Sequence, residues 1–223
     1  MFLKIGELKK ALKAALKMSG LTVGNADGFY VVAAAEWGVY VDQNYASNKF
    51  KAAIMELVGD LPEPEECLHY TIGEIGLSWN SEEFPPDPYE EWKRAKDGAV
   101  ATPIVLSFWR HEYIVFQRKS NLQYLTAPSS LTVNMLSAKE LEEGERMPEQ
   151  PNVSEDTLYF KNEAMIYWVK ACSPGERVLK VLFPRMEGIS FFETNWLKGE
   201  TRQEEGAGAE RENGGAVDTQ LPY

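Results

Sequence analysis

Cys67 and His69 form the pair of residues whose spacing best suits metal chemistry. A thiolate and an imidazole two positions apart can begin a zinc site, which needs four such ligands. The remaining cysteine and histidine, Cys172 and His111, do not form a second pair, so the spacing predicts no metal site. Two cysteines are also too few for a disulfide framework, and they indicate reduced thiols in a cytoplasmic protein.

The sequence offers no residue set for catalysis. It contains neither the Gly-x-Ser-x-Gly turn of a serine nucleophile nor the Gly-x4-Gly-Lys-Ser/Thr loop that cradles phosphates. Paired catalytic carboxylates require burial to separate their pKa values. The glutamates here stand in charged runs that are typical of solvated loops. We therefore predict a protein that is not an enzyme and that uses no cofactor.

Lysines give the N-terminus a charge opposite to that of the whole chain. Residues 1–20 carry a net charge of +4, whereas the 223-residue chain carries −11. At about 100° per residue, four of these lysines fall on an arc beside the apolar positions of a helix. A local basic surface on an acidic protein indicates contact with a nucleic-acid backbone, and a solvated helix flank is the alternative. The predicted DNA-binding residues of this helix are Lys9, Lys10, Lys13 and Lys17.

The spacing of apolar residues predicts strands and two amphipathic helices in the N-terminal half. The lysine helix ends before Gly20, and the second helix spans residues 49–58 and stops at Gly59. An Asp-Gly pair at residues 27–28 predicts a hairpin turn. The predicted strands of this half cover residues 2–5, 22–23, 29–35, 37–41, 67–72 and 76–79.

A proline-rich stretch at residues 84–89 is the best internal boundary, and a short helix over residues 89–96 follows it. The predicted strands beyond it cover residues 104–109, 113–118, 122–126, 131–136, 158–160, 164–171, 177–183 and 189–192. The predicted class is therefore α+β, with antiparallel sheets, two helices in the N-terminal half and a mostly β second half. The predicted domains are residues 1–85, residues 86–198 and a disordered acidic tail at residues 199–223.

The tail has few apolar residues before its end and a net charge of −4. Such a composition predicts disorder. Its apolar end after an acidic linker suggests a peptide that docks in a partner's groove, and a frayed terminus is the alternative. The predicted partner-binding residues are Asp218, Gln220, Leu221, Pro222 and Tyr223.

Several short segments carry a resemblance to a known family: Leu8-Lys-Lys-Ala-Leu12, residues 50–62 followed by Glu65-Glu66-Cys67-Leu68, Ser81-Glu-Glu-Phe-Pro85 and residues 177–184. Together with the order of elements, they make the N-terminal half similar to the first domain of DNA sliding clamps. The resemblance implies that the two helices face duplex DNA inside a ring. It also implies that Lys49 and Lys51 of the second helix contact DNA together with Lys9, Lys10, Lys13 and Lys17. A six-domain ring would require a trimer of this chain. A second clamp domain would need two more amphipathic helices, and the sequence pattern of residues 100–200 predicts none.

The segment 218–223 is similar to the acidic tip of bacterial single-stranded-DNA-binding proteins. This similarity implies a partner in DNA replication or repair. The leading hypothesis is a sliding-clamp-like replication accessory protein of a phage or mobile element. The alternative is an interaction or inhibitor module that recruits a partner through its tip without binding DNA. No apolar run reaches the roughly 18 residues of a membrane span, so no membrane is expected.

Overall fold

Two amphipathic helices pack against one face of an eleven-stranded antiparallel sheet in the computed structural model. The structure describes residues 1–192 except residues 27, 75, 109, 110 and 174. The helices are α1 (Ile5–Met18), α2 (Asn48–Val58) and α3 (Pro88–Arg94), with α4 (Phe183–Arg185) near the end of the described chain. The α+β class is confirmed. None of the helices in this part of the chain is long and apolar enough to cross a bilayer.

The first five strands belong to the N-terminal half, and the other six follow α3. Their bounds are β1 (Leu21–Ala26), β2 (Phe29–Ala33), β3 (Trp37–Asp42), β4 (Glu66–Gly73), β5 (Gly76–Ser81), β6 (Asp97–Phe108), β7 (His111–Arg118), β8 (Tyr124–Pro128), β9 (Asn152–Ser154), β10 (Thr157–Lys161) and β11 (Met165–Lys170).

The strand order across the sheet is β5-β4-β1-β2-β3-β11-β10-β9-β6-β7-β8. The pairing of β3 with β11 joins the early strands to the late ones, with Val39 opposite Tyr167. The proposed boundary between residues 1–85 and 86–198 stays a prediction, and the acidic tail lies outside the described residues.

The core lies between the sheet and the two long helices. Leu8 and Leu12 of α1 and Phe50 and Ile54 of α2 are fully buried against one sheet face, in a single apolar cluster. The apolar spacing of i, i+3 and i+4 that predicted these helices therefore marks their inward faces. Ser47 caps α2 by accepting a hydrogen bond from the Phe50 backbone N–H at 3.2 Å.

A smaller cluster lies on the opposite face of the sheet. There α3 packs beside β9, and Trp92 of this helix contacts a group of buried residues that includes Tyr159 and Ile166. The predicted short helix over residues 89–96 is thus confirmed, with Asp87 as its N-cap.

Four of the predicted strands are not strands. Residues 2–5 contain only an isolated bridge, between Leu3 and Leu136, and Ile5 already begins α1. Residues 131–136 begin in a 3-10 helix, Ser129–Leu131, and continue as turns. Residues 177–183 form a π-helix, Val178–Leu182, that runs directly into α4, and residues 189–192 are irregular. Short apolar runs do not distinguish strand from helix. Along residues 178–186, Val178 and Met186 are buried whereas Leu179 and Val181 are exposed, and this spacing is that of a helix.

Candidate nucleic-acid interface and apolar cleft

Helix α1 presents three different faces. Its inward face carries the buried residues Ile5, Leu8, Leu12, Ala15 and Leu16. At about 100° per residue, the positions on one side of this face are lysines, and those on the other side are mainly alanines with Met18. The helix therefore places a basic surface and a small apolar surface on opposite sides of its core contact.

The basic side begins at the seam between α1 and α2. Lys9 donates to both carboxylate oxygens of Glu56 at 2.8 and 2.9 Å. The hydrogen bond and charge of Lys9, with a smaller contribution from the charge of Lys13, lower the pKa of Glu56. This exposed pair fixes Lys9 against α2 and neutralises its charge.

The two lysines nearest the C-terminal end of α1 form no ion pair with a described residue. Lys13 and Lys17 are exposed, and no carboxylate of the described residues lies within ion-pair distance of either one. Lys10, by contrast, pairs with Glu7 one turn earlier at 2.9 Å. The unneutralised part of the lysine arc is thus its C-terminal half.

The two lysines of α2 lie in different surroundings. Lys49 forms an ion pair with Glu140 at 2.9 Å, across 91 residues of sequence. The Lys51 ammonium lies 5.7 Å from the ring centroid of Tyr30, within range of a cation–π contact. Three of the six predicted DNA-binding lysines are therefore paired with carboxylates, and the DNA-binding role of all six stays a prediction.

An apolar cleft lies beside the other side of α1 and was not anticipated from the sequence. It encloses about 500 Å³. Its floor and walls come from α1, the turn between β2 and β3, the start of β7 and the segment after β8. Its apolar lining includes Ala11, Ala14, Met18, Trp37, Pro128 and Leu131, and the charged residues Glu7, Lys10 and Glu36 also line it. Met18 is 86% exposed although it is apolar. The available sequence signal was the row of small residues on the third face of α1.

A polar pocket of about 470 Å³ adjoins the cleft. His111, Pro128 and Ser130 line both cavities, and Ser129 and Glu112 line the polar one. The Ser129 hydroxyl is buried without a hydrogen-bond partner among the described residues. No hydrogen bond in this part of the chain joins Ser129 to His111, so the geometry does not assemble a nucleophile with its base.

Cys67 and His69 each form a hydrogen bond with another part of the fold. His69 Nδ1 lies 2.9 Å from the Thr22 hydroxyl, and the Cys67 thiol donates to the Glu83 carbonyl at 3.7 Å. Burial, together with the charge of Glu82, raises the pKa of Cys67 to about 11. In the described ranges, no three His, Cys, Asp or Glu residues gather as a metal site would require.

The five predicted partner-binding residues, Asp218 to Tyr223 without Thr219, lie outside the described residues. Their docking role stays a prediction.

No family model matches the sequence, and no curated protein matches it. Solved structures with a remote likeness include the DNA polymerase sliding clamp from Bacillus subtilis, at 7% identity and a TM-score of 0.34 over 78% of this chain and 64% of that one. The Bartonella birtlesii DnaN sliding clamp bound to griselimycin has 8% identity, a TM-score of 0.29 and coverages of 79% and 65%. For the beta subunit from DNA polymerase of Streptococcus pyogenes the values are 10%, 0.30, 77% and 63%. This chain thus spans less than two thirds of these clamps, and TM-scores this low establish no function.

Proposed function

We propose that this protein is a non-enzymatic accessory protein of DNA replication, sliding-clamp-like and encoded by a phage or mobile element. In this role the lysine side of α1 lies against the phosphate backbone of duplex DNA. The observation that carries the proposal is the position of Lys13 and Lys17, which are exposed and unneutralised beside the seam of two helices on one sheet face.

The expected attraction is local and sensitive to salt. The chain as a whole carries −11 and is repelled by DNA, so binding depends on the basic side of α1. Each phosphate contact contributes a slope of about −0.9 to the plot of log affinity against log salt concentration. Two to four contacts therefore weaken binding by about 10- to 150-fold between 50 and 200 mM salt.

Fluorescence anisotropy of a labelled 30-base-pair duplex, titrated at several KCl concentrations, tests this role. The variant Lys13→Glu/Lys17→Glu should lose at least tenfold in affinity and flatten the salt slope by about two phosphate contacts. The matched control is Lys96→Glu/Lys170→Glu, which changes the net charge by the same amount at two exposed lysines outside α1 and α2.

Because both double variants carry the same total charge, a difference between them isolates the lysine side from the general repulsion. Equal losses in the two variants, or no binding by the unaltered protein at 50 mM KCl, would contradict the proposal.

The apolar cleft favours a second candidate, a protein-interaction module that does not bind DNA. A cleft of about 500 Å³ with an apolar lining suits an extended apolar segment of a partner. In this second role the partner is captured equally well by Lys13→Glu/Lys17→Glu and is lost by Ala14→Arg, which places a charged side chain in the cleft. Deletion of residues 217–223 separately tests the docking tip. If the shortened protein still captures the partner, the tip is not the docking site.

A further inference from the structure

Strand β5 is an unprotected edge of the sheet. It pairs with β4 on one side, and no described strand pairs with it on the other. Natural edge strands are usually protected by charged side chains, proline, a bulge or a covering segment, because their free N–H and C=O groups can pair with another chain. Residues 76–81 contain no charged residue and no proline, and their pairing with β4 shows no shift in register.

The same edge exposes apolar side chains. Ile72, Leu77 and Trp79 are 48%, 44% and 58% exposed. In the β4–β5 register Leu77 lies opposite Ile72, and Trp79 lies opposite the buried Tyr70. Residues that face each other across an antiparallel pair point to the same side of the sheet. These exposed side chains therefore extend the core face of the sheet beyond the area that buries Tyr70.

The opposite edge of the sheet is already covered by this chain. In β8, Thr126 forms a bridge with Cys172, whose backbone N–H donates to the Thr126 carbonyl at 2.8 Å. The Tyr124 hydroxyl donates to the Met186 carbonyl at 2.8 Å, and its ring packs against Phe183. A second copy could not add a strand here without displacing these contacts. Head-to-tail pairing of β5 with β8 is disfavoured, whereas pairing of two β5 edges meets no such obstacle.

We propose that β5 pairs antiparallel with β5 of a second copy, about a two-fold axis that is perpendicular to the sheet and passes midway between the two Ser78 residues. Such an axis keeps the apolar faces of the two copies on the same side of the joined sheet. Because side chains alternate along a strand, an odd-numbered residue must then face an odd-numbered one and an even-numbered residue an even-numbered one. Centring on Ser78 places Leu77 opposite the second copy's Trp79, twice over. Centring on Trp79 would pair the two Trp79 side chains with each other but leave both Leu77 side chains opposite Ser81, so one apolar pair would form in place of two.

This dimer requires no nucleic acid, so its failure and that of the proposed DNA role are separate results. Light scattering coupled to size exclusion, without DNA and at about 100 μM protein, should give twice the 25.2 kDa chain mass. Trp79→Lys should give the monomer mass with an unchanged far-UV spectrum, because Trp79 is 58% exposed in the single chain. Met55→Lys is the matched control: Met55 is 40% exposed on helix α2 and lies on no strand edge, so this variant should remain dimeric.

Oxidative cross-linking tests the register. Ser78→Cys lies beside the proposed axis, so copper–phenanthroline oxidation should join two chains covalently in most of the protein, since the paired Cα atoms fall within disulfide range. Asn80→Cys faces Gly76 of the second copy in this register and should not cross-link. The unaltered protein controls for Cys67 and Cys172. A monomer at 100 μM, a dimer that survives Trp79→Lys, or the absence of a Ser78→Cys cross-link would each overturn the proposal.

Discussion

Gly38 lies where the two parts of the sheet meet, and its replacement by alanine tests that junction. Gly38 of β3 faces Trp168 of β11. A Cβ atom built at Gly38 would lie 2.0 Å from Cζ2 of the indole and 2.5 Å from Cε2 and Cη2. Carbon atoms normally approach to about 3.5–4.0 Å, so the ring must move by about 1.5 Å or more. Trp168 also packs against the smaller apolar cluster, which resists this movement.

Overpacking of this kind lowers the free energy of unfolding by about 1–3 kcal/mol. For a chain of this size each kcal/mol shifts Tm by about 2–4 °C, so Gly38→Ala should lower Tm by about 2–12 °C. Urea unfolding monitored by circular dichroism measures the free energy, and differential scanning calorimetry measures Tm.

The control for Gly38→Ala is Gly73→Ala in β4, because a Cβ atom at Gly73 meets no atom within 4 Å. This control should raise the free energy of unfolding by less than about 1 kcal/mol, because alanine lowers the conformational entropy of the unfolded chain. In a Trp168→Val background the penalty of Gly38→Ala should nearly vanish, a coupling of about 1 kcal/mol or more. Equal stabilities of the Gly38 and Gly73 variants would refute the packing of β3 against β11.

Three further outcomes follow from local contacts. Ser47→Ala should lower the free energy of unfolding in urea by about 1 kcal/mol, because the Phe50 N–H loses its cap. Burial raises the pKa of Cys67 to about 11 from its ordinary value of 9.0. This thiol should therefore react with iodoacetamide at pH 8 about 100-fold more slowly in the folded than in the urea-unfolded protein, and faster as pH rises toward 11. Glu56→Gln should leave Tm nearly unchanged, because the pair is exposed, and, by freeing Lys9, steepen the salt slope of DNA binding by about 0.9.

The two long helices could be predicted from the sequence because their apolar residues repeat with a helical period over three turns or more. The strands of the N-terminal half were predictable for a similar reason: alternation and turn residues set their approximate positions. The segment 177–183 was not, since its short apolar runs on the two sides of Lys180 suit either a strand or a helix. Its conformation depends on Val178 and Met186 being buried, which is a tertiary contact.

The candidate sites depended more strongly on distant residues. The helical wheel placed the lysines on one arc of α1, but it contained no information about Glu56, which lies 47 residues beyond its partner Lys9. The cleft likewise requires Trp37 and Leu131 to approach α1 from two other parts of the chain. Local periodicity identifies which face of a helix is unusual, and long-range packing determines what that face meets.

The ion pairs limit how strongly the lysine surface can bind DNA. Carboxylates of Glu7, Glu56 and Glu140 neutralise three of the six candidate lysines and leave an excess of three positive charges. With so few contacts, binding at physiological salt should fall in the range of non-specific association, with Kd of about 10⁻⁴–10⁻⁶ M. Such weak, sequence-independent attraction allows movement along a duplex. Nanomolar binding to one particular sequence would require base contacts that the lysines do not supply, and it would therefore contradict a sliding role for this surface.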